Sequence, residues 1–139
     1  MDPAALMTFG REVLASQPFS ALLGTTLDVF VPGRAELVLP VRPELLQQHG
    51  FVHGGVLAYL ADNATTFAGG SILGDAVTID VTVNYVRPAT GMARLRAVAT
   101  VVHAGRTTAV CRCDVLGEPE AGEPTLCAVA QGTIRKVSR

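Results

Sequence analysis

Hydrophobic and polar residues alternate with the two-residue period of a β-strand in six stretches of the chain. The first two, TTLDVFV and RAELVLPV, flank Pro32-Gly33, and this arrangement predicts a hairpin. The other four are VTIDVTVNYV, MARLRAVATVVH, RTTAVCRCDVL and TLCAVAQGTIRKV, which predict four strands in a meander. In VTIDVTVNYV the apolar residues expected on one face are Ile79, Val81, Val83 and Tyr85. Thr78 and Asp80 are expected to share the opposite face, because side chains alternate along a strand.

Two other stretches have the spacing of a helix. The opening DPAALMTFGREVLASQ predicts a short helix with Asp2 as N-cap and Pro3 at its first position, within a helical segment of residues 1–20. From residue 56 to residue 68, apolar and small side chains recur every three or four positions and predict a second helix. This helix is apolar on most sides, so other structure has to enclose it. An antiparallel sheet curled around it would bury both, which predicts one α+β domain over residues 1–139.

Composition narrows the class of protein. With 139 residues, 49% of them apolar and 17% charged, the chain fits a single domain with a sizeable core. A net charge of −1 without a run of lysines or arginines argues against nucleic acid as a partner. The longest uncharged run is broken by polar residues and glycines, so we expect no membrane association, and the opening residues lack a signal peptide, so we expect a cytoplasmic location. Three cysteines and three histidines show no metal-ligand spacing.

A single carboxylate interrupts the apolar middle of the chain. Between Leu45 and Gly74, Asp62 is the only side chain charged at neutral pH. Burying an unpaired carboxylate costs several kcal/mol or more, so its presence needs a reason. One explanation is structural, a hydrogen bond to a neighbouring loop or to His49. The other is chemical, a carboxylate that takes part in a reaction.

The sequence His53-Gly54-Gly55 precedes the predicted central helix. Glycines at a helix start leave bare N–H groups at its positive end, where an anion or an oxygen that becomes negative can bind, although a simple tight turn is the structural alternative. Asp62 lies seven residues beyond Gly55, roughly 10 Å along the helix axis. One helix therefore cannot easily offer both groups to the same carbonyl. Two antiparallel copies about a two-fold axis could, which predicts a homodimer with shared sites.

Three segments resemble a known family. GFVHGGVLAYLADNA, VTIDVTVNYVRPA and GRTTAV are similar to those of hotdog-fold acyl-CoA thioesterases, in the PaaI-like branch typified by phenylacetic-acid-degradation and 4-hydroxybenzoyl-CoA thioesterases. The resemblance covers roughly residues 22–135. It implies a hotdog fold, an antiparallel sheet wrapped around a central helix and paired across a dimer. It also implies hydrolysis of aryl- or medium-chain acyl-CoA to free acid and CoA without a cofactor, and a tetramer made of two dimers.

The resemblance implies a role for five residues. Asp62 matches the catalytic carboxylate, which acts as nucleophile on the thioester or as general base for a water. Gly55 matches the helix-end glycine whose N–H polarises the carbonyl, and His53 matches the histidine that shapes the turn beside it. Gln47 matches a residue that orients water or the carbonyl. Thr78 matches a hydroxyl that helps place water near the acid of the other subunit.

Binding of the CoA moiety would need basic residues near the mouth of the site. Gly105, Arg106 and Thr107 match a segment that often contacts the nucleotide, and Arg87 follows a site strand. Each arginine is otherwise explained as a solvated surface residue. Gly54 would let the substrate approach the main chain closely.

Two other functions are compatible with a hotdog domain. A hydratase or dehydratase of enoyl or 3-hydroxyacyl thioesters resembles these enzymes but pairs a histidine with an acid at a different spacing. A non-catalytic acyl-CoA-binding protein would keep the pocket and would have no use for Asp62. Both explain the sequence less completely than thioester hydrolysis.

Overall fold

The computed structural model describes residues 1–138, and Arg139 lies outside the described residues. Within residues 1–138 the structure has three α-helices and one short 3-10 turn, namely α1 (Pro3–Ala15), α2 (Pro18–Leu23), the turn Pro43–Leu45 and α3 (Gly54–Leu73). The six strands are β1 (Thr26–Val31), β2 (Arg34–Pro40), β3 (Ala76–Tyr85), β4 (Arg94–Ala104), β5 (Thr108–Glu118) and β6 (Thr125–Lys136). They form one antiparallel sheet in the order β1-β2-β4-β5-β6-β3.

Helix α3 is the centre of the fold and contacts all six strands. Its side chains at Leu60, Ala61, Ala64 and Ala68 are fully buried, as the spacing predicted. The helix is longer than the predicted 56–68, because His53 caps its start and the chain leaves it at Gly74, which has a φ of +89°. A sheet that packs all its strands on one apolar helix confirms the predicted α+β architecture.

The N-terminal segment is two helices instead of one. The side chain of Asp2 accepts a hydrogen bond from the Ala5 N–H at 2.8 Å, so the predicted N-cap of α1 is confirmed. Helix α2 then packs on α3 through a polar contact, in which the buried Ser20 hydroxyl lies 2.6 Å from the Tyr59 hydroxyl. The Asn63 amide also donates to Ser20 at 3.2 Å. A buried hydroxyl needs such partners, and they fix α2 beside the middle of α3.

The strand order corrects the predicted four-strand meander. The β1–β2 hairpin is confirmed, with Gly33 at a φ of +84° in its turn. Strands β4, β5 and β6 follow one another as predicted, but β3 pairs with β6 and not with β4, which lies beside β2. Alternation records which face of a strand is packed and carries no information about its neighbour, so this crossover was invisible in the pattern. Within residues 1–138, the second edge of β3 has no partner strand.

A β-bulge in β3 corrects the predicted faces of that strand. Thr78 pairs with Ile134 and Asp80 with Thr133, so Ile79 is an extra residue. Ile79 is 57% exposed instead of packed, and Asp80 is exposed instead of sharing the face of Thr78. Thr78 and Tyr85 are seven positions apart and would point to opposite faces of a regular strand. The bulge changes the alternation, and both side chains reach α3.

Candidate active site

The first turn of α3 is held by two side chains. The His53 Nδ1 accepts a hydrogen bond from the Gly55 N–H at 2.9 Å, and the Tyr85 hydroxyl donates to the Gly54 carbonyl at 2.9 Å. Glycine fits closely here, because a Cβ on Gly54 would lie 3.3 Å from the Tyr85 ring and one on Gly55 would lie 3.1 Å from the His53 Nδ1, so either neighbour would have to move by a few tenths of an ångström. The bare main chain of the two glycines therefore lets both side chains pack closely against this turn.

The N–H groups of the two glycines differ in availability. Gly55 was the residue predicted to polarise a carbonyl, but its N–H is already bonded to His53. The Gly54 N–H has no hydrogen-bond partner among residues 1–138. At the positive end of a helix, such a free N–H is a donor for an anion or a developing oxyanion. In the described chain, the free N–H at this helix end is thus that of Gly54, one residue before the predicted donor.

The His53 ring is committed to its capping role. Because Nδ1 accepts from Gly55, the neutral ring carries its proton on Nε2. The ring then has no free nitrogen lone pair with which to take a proton from a substrate. This geometry counts against the hydratase alternative, in which a histidine removes a proton.

A cavity of about 310 Å³ opens beside this helix end. Gly54 and Tyr85 line it together with two polar side chains, Gln47 and Arg87, and the rest of its lining is apolar. The Gln47 Oε1 accepts from the N–H groups of His49 at 2.6 Å and of Phe51 at 3.2 Å. Its Nε2 is left without a partner in the described part of the chain, so Gln47 offers a second donor next to Gly54.

Asp62 forms a separate polar group on the same helix. Its side chain is half-buried, and its Oδ1 accepts a hydrogen bond of 2.5 Å from the Thr78 hydroxyl. The Thr66 hydroxyl lies 2.8 Å from that of Thr78 and donates to the Asp62 main-chain carbonyl at 2.8 Å. Oδ2 of Asp62 has no partner among the described residues. The structural explanation that pairs Asp62 with His49 is therefore wrong, and one carboxylate oxygen is available for chemistry.

The two groups are too far apart to act together within one subunit. Gly54 and Asp62 are eight residues apart on α3, about 12 Å at 1.5 Å per residue. Their contacts on β3 are likewise at opposite ends, at Tyr85 and at Thr78. Within one chain, the free N–H at Gly54 and the free carboxylate oxygen of Asp62 are therefore two separate polar groups.

The predicted CoA-binding residues are also divided between two places. Arg87 is exposed at the cavity beside Gly54. The turn Gly105–Thr107 is near the start of β3, because Lys136 pairs with Ala76 and donates its N–H to the Thr107 carbonyl. Tyr85 is at the other end of that strand. In one chain, the turn and the cavity thus lie at opposite ends of the sheet.

Two residues of the site were not predicted from the sequence. Thr66 lies four residues after Asp62, and this helical spacing was a sufficient signal to find it. Tyr85 could not be found in this way, because the bulge at Ile79 changes the face on which it lies.

Neither a group of metal ligands nor a membrane-spanning helix occurs in the described chain. Within residues 1–138, no three side chains among His, Cys, Asp and Glu are grouped so that they could hold a metal ion. Over the same range, every helix is too short or too polar to cross a membrane.

Comparison with known proteins identifies the family to which this arrangement belongs. The profile of the Thioesterase superfamily matches residues 49–122, just over half of the chain. The acyl-coenzyme A thioesterase PaaI of Escherichia coli is 31% identical over 98 residues, which cover 70% of this chain and 70% of that protein. A thioesterase family protein from Silicibacter pomeroyi is 33% identical, with a TM-score of 0.86 over 92% of this chain and 96% of that one. A mutant of the phenylacetic acid degradation protein PaaI from Thermus thermophilus is 35% identical, with a TM-score of 0.77, and covers 87% of this chain and 100% of its own.

The antiparallel sheet around one long helix and these matches define a hotdog-fold thioester hydrolase, and the chain belongs to the thioesterase superfamily. Within that superfamily it is PaaI-like, as the sequence resemblance predicted.

Proposed function

We propose that the protein hydrolyses the thioester bond of acyl-CoA, in two sites that are each completed by both subunits of a homodimer. The observation that carries the proposal is that α3 has a free N–H donor at Gly54 and a free carboxylate oxygen at Asp62, about 12 Å apart along the helix. The E. coli relative named as an acyl-coenzyme A thioesterase supports the choice of CoA ester.

In this proposal, the thioester carbonyl oxygen accepts a hydrogen bond from the Gly54 N–H and from Gln47. Such donors stabilise the negative charge that develops on the oxygen, by about 3–4 kcal/mol each. Oδ2 of the partner subunit's Asp62 then attacks the carbonyl carbon or takes a proton from an attacking water. The C–S bond breaks, the thiolate of CoA leaves with a proton, and water supplies the oxygen of the free acid.

The exposed edge of β3 supports the dimer. This edge has no partner strand within the described chain, and Val77, Ile79, Tyr85 and Val86 near it are each more than half exposed. A long edge strand with exposed apolar side chains favours pairing with another strand. Antiparallel pairing with the same strand of a second copy brings the start of one β3 to the end of the other. Asp62 and Thr78 of one subunit then approach Gly54 of its partner.

The same pairing supports a proposed place for the CoA moiety. It carries the partner subunit's turn Gly105–Thr107 towards the cavity beside Arg87. Arg106 and Arg87 would then both face the phosphates, as expected for charged groups at the mouth of a site. The apolar lining of the cavity favours an aryl or medium-chain acyl group over a polar one. A tetramer of two such dimers is part of the proposal, and light scattering measures it directly.

Hydrolysis is tested with Asp62→Asn, assayed by thiol release from a panel of aryl and aliphatic acyl-CoAs. We expect kcat to fall by about 10²–10⁴-fold. The matched control is Asp80→Asn, which removes an exposed carboxylate from β3 and should keep normal activity. Near-normal turnover in Asp62→Asn would refute its role, and a wild type that hydrolyses no acyl-CoA would refute the substrate class.

Site sharing is tested by mixing two inactive variants. Gly54→Pro removes the free N–H while its φ suits the first turn of a helix, and Asp62→Asn removes the carboxylate. In a mixed dimer, one site carries both changes and the other carries neither. Random mixing should therefore restore about a quarter of wild-type activity. Verified mixed dimers that stay inactive would show that each site belongs to one subunit.

The two roles open to Asp62 are separated by a single turnover in ¹⁸O-water with enzyme in excess. A nucleophilic carboxylate forms an anhydride with the acyl group, and when water opens that anhydride at the Asp62 carbonyl, the acid is unlabelled and Asp62 takes up label. Label in Asp62 therefore identifies the nucleophile. A general base directs labelled water to the carbonyl, so the label appears in the acid at once.

A further inference from the structure

The peptide group between Gly54 and Gly55 is hydrogen-bonded on both sides. Its carbonyl accepts from the Tyr85 hydroxyl and its N–H donates to the His53 Nδ1, each at 2.9 Å. A Gly-Gly peptide has more rotational freedom than any other, because neither residue has a Cβ. The two glycines alone would thus leave this helix end free to rotate, and the two side chains restrain it.

The main chain that carries Tyr85 is itself held by hydrogen bonds. Its main chain pairs with Ala128 of β6. The next two residues, Val86 and Arg87, both donate their N–H groups to the Cys127 carbonyl, at 2.8 and 3.2 Å. Cys127 itself is fully buried. The Tyr85 hydroxyl is therefore carried by rigid main chain, although the side chain is 57% exposed.

We propose that Tyr85 is a positioning residue for hydrolysis, because its hydroxyl holds the Gly54 carbonyl and so fixes the position of the residue that carries the free N–H. That N–H belongs to the preceding peptide group, whose His53 carbonyl accepts from the Val56 N–H at 2.9 Å, so Gly54 is held through the peptide groups on both of its sides. This inference rests on the proposed function, in which that N–H polarises the thioester carbonyl. A hydrogen bond weakens steeply when its angle departs from linear, and stabilisation of an oxyanion depends on donors aimed in advance. Tyr85 acts without touching the reacting atoms.

Tyr85 also lines the cavity, which suggests a different role as a wall for the substrate. The two roles use different parts of the side chain. A wall needs the ring, whereas the hydrogen bond to Gly54 needs the hydroxyl. Tyr85→Phe removes only the hydroxyl, and Tyr85→Leu removes both.

The test compares Tyr85→Phe with Tyr85→Leu and with the control Thr82→Val, which deletes an exposed hydroxyl from the same strand. For Tyr85→Phe we expect kcat to fall about 5- to 10-fold, the equivalent of one hydrogen bond, with KM within about twofold of wild type. Thr82→Val should match the wild type. A Tyr85→Phe variant with normal kcat, alongside a Tyr85→Leu variant with a raised KM, would overturn the proposal in favour of the wall.

A second readout does not depend on activity. Amide hydrogen exchange at Gly55, followed by NMR, reports how firmly the Gly54–Gly55 peptide is held. We expect exchange about 5- to 10-fold faster in Tyr85→Phe than in Thr82→Val. Unchanged exchange would show that the Tyr85 hydroxyl does not restrain this peptide group, and it would overturn the proposal even if activity fell. Faster exchange in a protein whose wild type hydrolyses no acyl-CoA would refute the proposed function and leave the restraint on this peptide group intact.

Discussion

Replacing Thr78 with valine removes the O–H that points at the proposed catalytic carboxylate and leaves the shape of the side chain unchanged. The lost contact is a 2.5 Å hydrogen bond to Oδ1 of Asp62. Hydrogen bonds to charged groups contribute about 1.5–3 kcal/mol. The Thr66 hydroxyl, 2.8 Å from that of Thr78, loses a neighbour as well. With Oδ2 unpaired, the Asp62 carboxylate would have no hydrogen bond in the described chain to fix its rotation.

At about 1.4 kcal/mol per factor of ten, we expect kcat of Thr78→Val to fall roughly ten- to hundredfold. KM should change little, because the contact does not involve the substrate. Steady-state thiol release measures both constants, with Thr78→Ser as the variant that restores the hydroxyl and most of the rate. A Thr78→Val enzyme within twofold of wild type, beside an inactive Asp62→Asn enzyme, would show that Asp62 needs no orientation by Thr78.

Three further predictions concern stability. Gly69→Ala should lower the free energy of unfolding in urea by about 1–3 kcal/mol, because a Cβ there would lie 3.0 Å from Ile134. Gly70→Ala is the matched control: a Cβ there would meet nothing within 4 Å, so this change should stabilise the protein by about 0.5–1 kcal/mol. Burial raises the pKa of the Cys113 thiol from 9.0 to about 12, so this thiol should resist Ellman's reagent until the protein unfolds. Its contribution to stability should be present below pH 9.0 and be lost as the pH rises towards 12, with a shallower loss in Cys113→Ala. Burial alone would raise the pKa of Glu118, but hydrogen bonds from two arginines outweigh it and lower the pKa below 4.5. Glu118→Gln should therefore be less stable than wild type at neutral pH. The difference in stability should shrink as the pH falls below 4.5, where Glu118 becomes protonated.

The architecture could be predicted from the sequence because it follows from burial. The helical spacing from Val56 to Ala68 and the alternation of the strands both record which side chains leave water. The order of the strands does not follow from burial, since β3 would be packed equally well beside β4 or β6. The helix was predicted too short at its C-terminal end, where glycines and Ile72 obscure the apolar spacing.

The candidate site could be predicted by residue type but not by atom. Asp62 was identified because a carboxylate is costly in an apolar helix. Which glycine offers its N–H depends on the rotamer of His53, and no sequence pattern contains that information. The link from Thr78 to Asp62 depends on which face of β3 packs on α3, and the bulge at Ile79 hides that face from the sequence pattern.

The bulge at Ile79 limits how β3 can change in length during evolution. The strand contacts α3 at two places, through Thr78 and through Tyr85, and the extra residue keeps both side chains on the face that packs against α3. Deleting one residue between Thr78 and Tyr85 would send one of these side chains to the outer face of the sheet. Inserting one would do the same, whereas a change of two would keep the faces and move the contacts by about 7 Å. A relative with a single-residue gap in this strand must therefore have moved its support for the acid, or its support for the helix end, to another part of the chain.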